Sequence, residues 1–177
     1  MVFAHDTESA MRTAVALVNT MTPPDTLTTV GELEGFFRTW DYTGRHNRTG
    51  AELAEVRATR ARLLMLLRSD RDDAVELINE WLAEAQAVPQ LVRHGDVDWH
   101  VHGVRGDEPL AQRILVESAI AMIDLVRADE MSRLKPCAAA GCEGVVLDLT
   151  RNRSRVFCSS SCTNRASQAA YRARQNH

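Results

Sequence analysis

Four cysteines, Cys137, Cys142, Cys158 and Cys162, are the only thiols in the chain, and they fall within 26 residues in the pattern C-x4-C-x15-C-x3-C. Two close pairs separated by a hairpin-length insert suit four metal–thiolate bonds of about 2.3 Å to a tetrahedral zinc ion. The alternatives are unbound core cysteines or disulfides, and a reducing compartment disfavours the latter. A four-thiolate set leaves no open coordination position, so the predicted Zn2+ is structural and stabilises a module too small to hold itself together. Serines 159–161 suit a helix start. The helix N-terminus is expected to lower the pKa of the Cys158 thiol.

Charge is divided the same way. Residues 1–132 hold 13 basic and 22 acidic side chains, whereas residues 133–177 hold 8 basic side chains and only Glu143 and Asp148 as acids. The cysteine-bearing end is therefore cationic, and remains so after four thiolates and one zinc subtract about two charges. A basic end on an acidic body points to a nucleic-acid partner. Arg151, Arg153 and Arg155 alternate in "TRNRSR" and would share one face if extended. Arg165, Gln168 and Arg172 follow at helical spacing, with Arg174 nearby. We read Arg151, Arg153, Arg155, Arg172 and Arg174 as candidate DNA contacts, and Arg165 as a brace against Asp148, with Tyr171 packing.

Other elements must carry this module. Helical apolar stripes run over 10–19, along "TTVGELEGFFRTW", over 51–68, over about 72–87 and over 110–128. Ser69 with Asp72 resembles a capping box for the fourth of these. Between them, "PQLVRHGDVDWHVHGV" alternates about Gly95 and predicts a β-hairpin with Val97, Trp99 and Val101 on one side. His100 and His102 are then expected on the solvent face with His94 across the turn, the other reading being a second metal site or sensor. Within the finger, "GVVLDLTRNRSRVF" is expected to fold as two strands and a turn. The fold class is thus a mainly α N-terminal domain with one β-hairpin, residues 1–132, followed by a small α+β treble-clef-like finger, residues 133–177.

Having these residues, the chain resembles the CGNR zinc-finger proteins, which join an N-terminal ABATE-type helical domain to a four-cysteine finger. "LDLTRNRSR" is similar to the family's D-x-S-R-N-R-S-R stretch, "CSSSCTNR" to its C-S-x-x-x-C-G-N-R signature, and "ALVNT" at 16–20 to the leading motif of the helical domain. Thr163 and Thr150 stand where the family has glycine and serine. The resemblance implies that Cys137, Cys142, Cys158 and Cys162 are the zinc ligands and that Asn164 and Arg165 are the signature residues. It also implies a stress-induced transcription regulator that binds DNA through the finger.

Several classes are not expected. No apolar run approaches the roughly 18 residues of a membrane helix, and the N-terminus does not read as a signal peptide, so a cytoplasmic protein with no membrane partner is expected. No phosphate loop, nucleophile–base pair or paired carboxylates stand out, which argues against an enzyme. One finger makes few base contacts, so a homodimer on two half-sites is expected, with the helical domain dimerising or sensing a small molecule or protein. The alternatives are a protein-interaction adaptor whose arginines meet an acidic surface, and a redox switch in which oxidation of Cys158 or Cys162 ejects zinc.

Overall fold

The computed structural model describes residues 3–94 and 97–175. Its elements are α1 (His5–Asn19), α2 (Val30–Thr39), α3 (Gly50–Arg68), α4 (Arg71–Glu84), β1 (Gln90–His94), β2 (Val97–His102), α5 (Leu110–Arg127), β3 (Leu134–Pro136), β4 (Val145–Leu147) and α6 (Ser160–Gln175). All five expected helices of the N-terminal part form, and the fold is mainly helical with two small antiparallel hairpins. None of the helices among the described residues is long and apolar enough to cross a membrane.

The apolar stripes account for the packing. α5 lies against α1, α3 and α4, and Leu17, Leu63, Leu66, Met122 and Leu125 are buried where they meet. α1 begins earlier than its stripe, with Asp6 and Glu8 in its first turn, where carboxylates favour the positive end of the helix dipole. α2 opens with a reciprocal cap in which Thr29 Oγ1 accepts from the Glu32 amide and Glu32 accepts from the Thr29 amide. The cap expected from Ser69 and Asp72 forms one residue later. Asp70 accepts the Asp73 amide at 2.9 Å, while the Ser69 hydroxyl donates back to Leu66 O at 2.8 Å. With only two residues between helices, Ser69 closes α3 and Asp70 opens α4.

The loop after α2 is fastened to α5 through buried Arg113, whose guanidinium donates to the carbonyls of Thr43, Arg45 and Glu108. Gly44 sits at φ +76°, and a Cβ there would lie 2.4 Å from Gly106 O. Only glycine permits that approach, which lets the Arg45 amide bond Gly106 O at 2.8 Å.

β1 and β2 pair as expected, with Leu91 opposite Val101 and Val92 opposite His100; the turn at Gly95 lies outside the described residues, as does the side chain of His94. The faces are the reverse of the expectation. Trp99 is 64% and Leu91 68% exposed, while His100 is 8% exposed. The hairpin covers a polar region, where Asp6 accepts the Val101 amide, so the imidazoles turn inward. His100 Nδ1 lies 2.7 Å from Asp98 O, and its Nε2 lies 3.0 Å from His102 Nε2.

The second hairpin also differs. Of the two strands expected within 144–157 only the first forms, as β4, and it pairs with β3, Leu134 opposite Leu147 and Pro136 opposite Val145. β4 is buried on both sides. Val145 and Leu147 join the helical core, while Val146 packs with Cys137, Ala139 and Cys162. Burial of both faces holds β4 at the junction and leaves 148–159 as loop.

Candidate metal centre and arginine surface

The first pair of thiols sits around a short loop after β3. The Cys137 amide donates to Gly144 O at 2.9 Å and the Cys142 amide to Ala139 O at 3.0 Å, turning both side chains to one side. Gly144 closes the loop against the second pair. A Cβ there would stand 2.8 Å from Cys158 Sγ and 3.1 Å from Asn19 Oδ1, so the position excludes a side chain.

The second pair brackets the start of α6. Ser159 Oγ accepts the Cys162 amide at 3.2 Å, the capping role expected of this serine stretch. Cys158 lies just before the cap and Cys162 in the first turn. The sulfur atoms of Cys142, Cys158 and Cys162 are mutually 3.6 to 3.7 Å apart, and all four lie within 4.8 Å of one another. Thiolates about 2.3 Å from a tetrahedral ion stand about 3.8 Å apart, so the donor set fits zinc. No pair is a disulfide.

Further groups address the sulfurs. The Cys158 amide points at Cys137 Sγ and the Gly144 amide at Cys142 Sγ, both at 3.4 Å. Arg165 Nη2 donates to Cys162 Sγ at 3.0 Å. The thiol drawn down is therefore Cys162, to about 6, by the Ser159 hydroxyl and the Arg165 guanidinium. Cys158, where the lowering was expected, is pushed up by burial and by the neighbouring thiols. The brace expected between Arg165 and Asp148 is absent, because Arg165 is spent on the thiol.

Asp148 is fully buried and has other partners. It accepts from Lys135 Nζ at 2.9 Å, Thr150 Oγ1 at 2.6 Å, the Thr150 amide at 3.0 Å and the Arg155 amide at 2.8 Å. Burial opposes its ionisation, but the bonds from Thr150 and Lys135 outweigh that and hold the carboxyl well below the usual carboxylate range. This one side chain gathers the arginine loop.

That loop is not extended, so Arg151, Arg153 and Arg155 do not line one face by alternation. Arg153 has φ +49°; its guanidinium lies 2.7 Å from Glu130 and bonds Ser132 Oγ at 2.9 Å. Arg155 donates to the carbonyls of Phe157 and Cys158. Arg151 and Arg172 are exposed and make no side-chain hydrogen bond among the described residues; exposed Arg174 bonds only Ala170 O of its own helix. Asn164 is exposed, as is Tyr171 at 57%, so the packing role expected of Tyr171 is not seen.

The contact between Asn19 and Val145 was not anticipated. Asn19 Nδ2 donates to Val145 O and its Oδ1 accepts the Val145 amide, both at 2.8 Å, and Arg68 donates to Glu143 O nearby. The only sequence signal was the position of Asn19 inside "ALVNT".

Two family comparisons cover nearly the whole chain. Residues 133–175 match the CGNR zinc finger, and residues 11–129 match the ABATE family, described as "Putative stress-induced transcription regulator". No curated protein matches the chain. Because the second match spans well over half of the sequence, the chain belongs to the ABATE family and carries a CGNR zinc finger after it. The finger match and the clustered thiols together support zinc as the bound ion, and neither family is an enzyme family.

Proposed function

We propose that this ABATE-family chain is a transcription regulator that binds DNA through residues 133–177, with residues 1–132 as its controlling helical domain. Cys137, Cys142, Cys158 and Cys162 are the zinc ligands in this reading. Four thiolates fill the coordination sphere, so the ion contributes folding free energy to the finger and offers no position to a substrate.

The observation that carries the reading is the fate of the basic side chains. Lys135, Arg133, Arg153 and Arg165 are consumed by internal acceptors, whereas Arg151, Arg172 and Arg174 stand on the surface. Exposed guanidinium groups on the loop and on the helix that carry the thiols suit phosphate oxygens, which attract cations irrespective of base sequence. Arg155 shapes the loop and Arg153 anchors it, so the contact set is narrower than the five arginines expected from sequence. A homodimer on two half-sites supplies the affinity that one finger lacks.

The test is duplex binding by fluorescence anisotropy at two salt concentrations with zinc-loaded protein and an Arg151→Ala/Arg172→Ala/Arg174→Ala variant. Binding that weakens with salt and is lost in the variant supports the reading. Salt-independent binding, or none, refutes it in favour of a protein-interaction adaptor.

A further inference from the structure

A partly open cavity of about 190 Å³ lies between α1, β2, α5 and the loop after α2, remote in sequence from the thiols. On the α5 wall stands Glu117, whose carboxylate makes no hydrogen bond among the described residues. Glu117 is half-buried, and a carboxylate that lines a cavity without a donor is a group that a ligand can complete. Burial pushes its pKa up to about 7 in spite of the Arg113 guanidinium one turn away.

Arg113 does not satisfy it. Its guanidinium is held by the three loop carbonyls that fasten residues 43, 45 and 108. Among the cavity's other lining groups are the carboxylates of Asp6 and Asp41 and the imidazoles of His5, His100 and His102, so Arg113 is the one permanent cation beside three acids. Asp6 already accepts the Thr7 and Val101 amides and Asp41 is exposed to solvent, which leaves Glu117 as the half-buried acceptor with free capacity. Trp40 and Tyr42 add aromatic surface to the same cavity, and aromatic faces attract cations.

We propose that this cavity binds a small organic cation with N–H donors, an amine or amidine, with Glu117 as its counter-ion and Trp40 and Tyr42 as flat walls. The inference does not depend on DNA binding by the finger. The chemistry selects charge sign first: a carboxylate ligand meets Glu117 unfavourably, and a neutral alcohol forgoes the charge-assisted bond.

Benzamidine and benzylamine are the cationic probes, with benzoate and benzyl alcohol as anionic and neutral counterparts, each titrated into the full chain labelled with 15N. The indole N–H signal of Trp40 should move saturably with the two cations, while that of Trp81, buried on α4 beneath Arg62 of α3, stays still. Glu117→Gln should weaken the cations roughly tenfold or more. The proposal is overturned if neither cation shifts Trp40 at millimolar concentration, if benzoate or benzyl alcohol does so equally well, or if a folded Glu117→Gln protein binds the cations unchanged. The comparison of cation with anion is made on the wild-type chain and holds even if the variant fails to fold.

Discussion

The side chain of Asn19, the last residue of α1, brackets the backbone of Val145: its amide nitrogen donates to the Val145 carbonyl and its oxygen accepts the Val145 amide, both at 2.8 Å. An asparagine thereby acts as a one-residue strand on the edge of β4 and ties the helical domain to the finger. Each such bond is worth about 1 kcal/mol net. Asn19→Ala should lower stability by about 2 kcal/mol in denaturant titration and speed hydrogen exchange at the Val145 amide. Unchanged exchange there would show that the bracket does not hold the finger.

Gly144 is a steric test of the metal site. A methyl group at this position meets Cys158 Sγ at 2.8 Å and Asn19 Oδ1 at 3.1 Å, both held by their own bonds. Gly144→Ala should displace Cys158 from the cluster and give measurably faster zinc loss to a chelating dye, whereas Gly141→Ala meets no atom within 4 Å and is opposed only by its left-handed φ of 68°. Equal zinc retention in the Gly144→Ala and wild-type proteins would contradict the tight junction.

Arg165 bonds Cys162, one of the four proposed zinc ligands. Removal of an outer partner of a metal ligand typically weakens affinity about 10- to 100-fold. Arg165→Ala should weaken zinc affinity by about tenfold in competition with a chelator, with Arg165→Lys intermediate because the charge stays and the fixed fork is gone. If Arg165 served Asp148 instead, the variant would loosen the arginine loop and leave zinc affinity intact.

Glu117 links stability to pH. Its folded pKa, about 7, lies above the ordinary 4.5 because of burial, so the folded chain holds the extra proton between those values. The stabilisation is complete below about pH 4.5 and is lost as pH rises through 7. Glu117→Gln removes this dependence and should make the protein more stable than wild type at pH 8 by about 2 kcal/mol. Arg113, Tyr42, Asp6, Asp41, His5, His100 and His102, which share the cavity, are common to both proteins, so the difference between two denaturation series isolates Glu117. Parallel curves between about pH 5.5 and 8, with zinc in excess, would contradict its burial.

Legibility in the sequence followed the range of the interaction. The helices were readable because their stripes are local, and the metal cluster because two short spacings and a cap at Ser159 place the thiols nearly on their own. The β1–β2 hairpin was readable as alternation, but period two does not say which side is covered. The polar region at Asp6 drew His100 inward and left Trp99 outside. The stretch 144–157 by itself predicts a partner strand for β4 within its own length, whereas Val145 and Leu147 are claimed by a core built from distant helices and β4 pairs with β3. Asp148 stood out as the acid beside the arginine loop, yet its basic partner is Lys135, since the thiol of Cys162 lies one helical turn from Arg165 and takes its guanidinium.

The proposed function rests on contact between DNA and the exposed arginines of the finger. Duplex anisotropy at low and near-physiological salt tests it most directly. Zinc-loaded protein should bind, its affinity should fall steeply with salt, and replacing Arg151, Arg172 and Arg174 with alanine should reduce the salt slope by about one unit for each phosphate no longer neutralised. Binding by the triple variant with the same affinity and salt slope as wild type would contradict it.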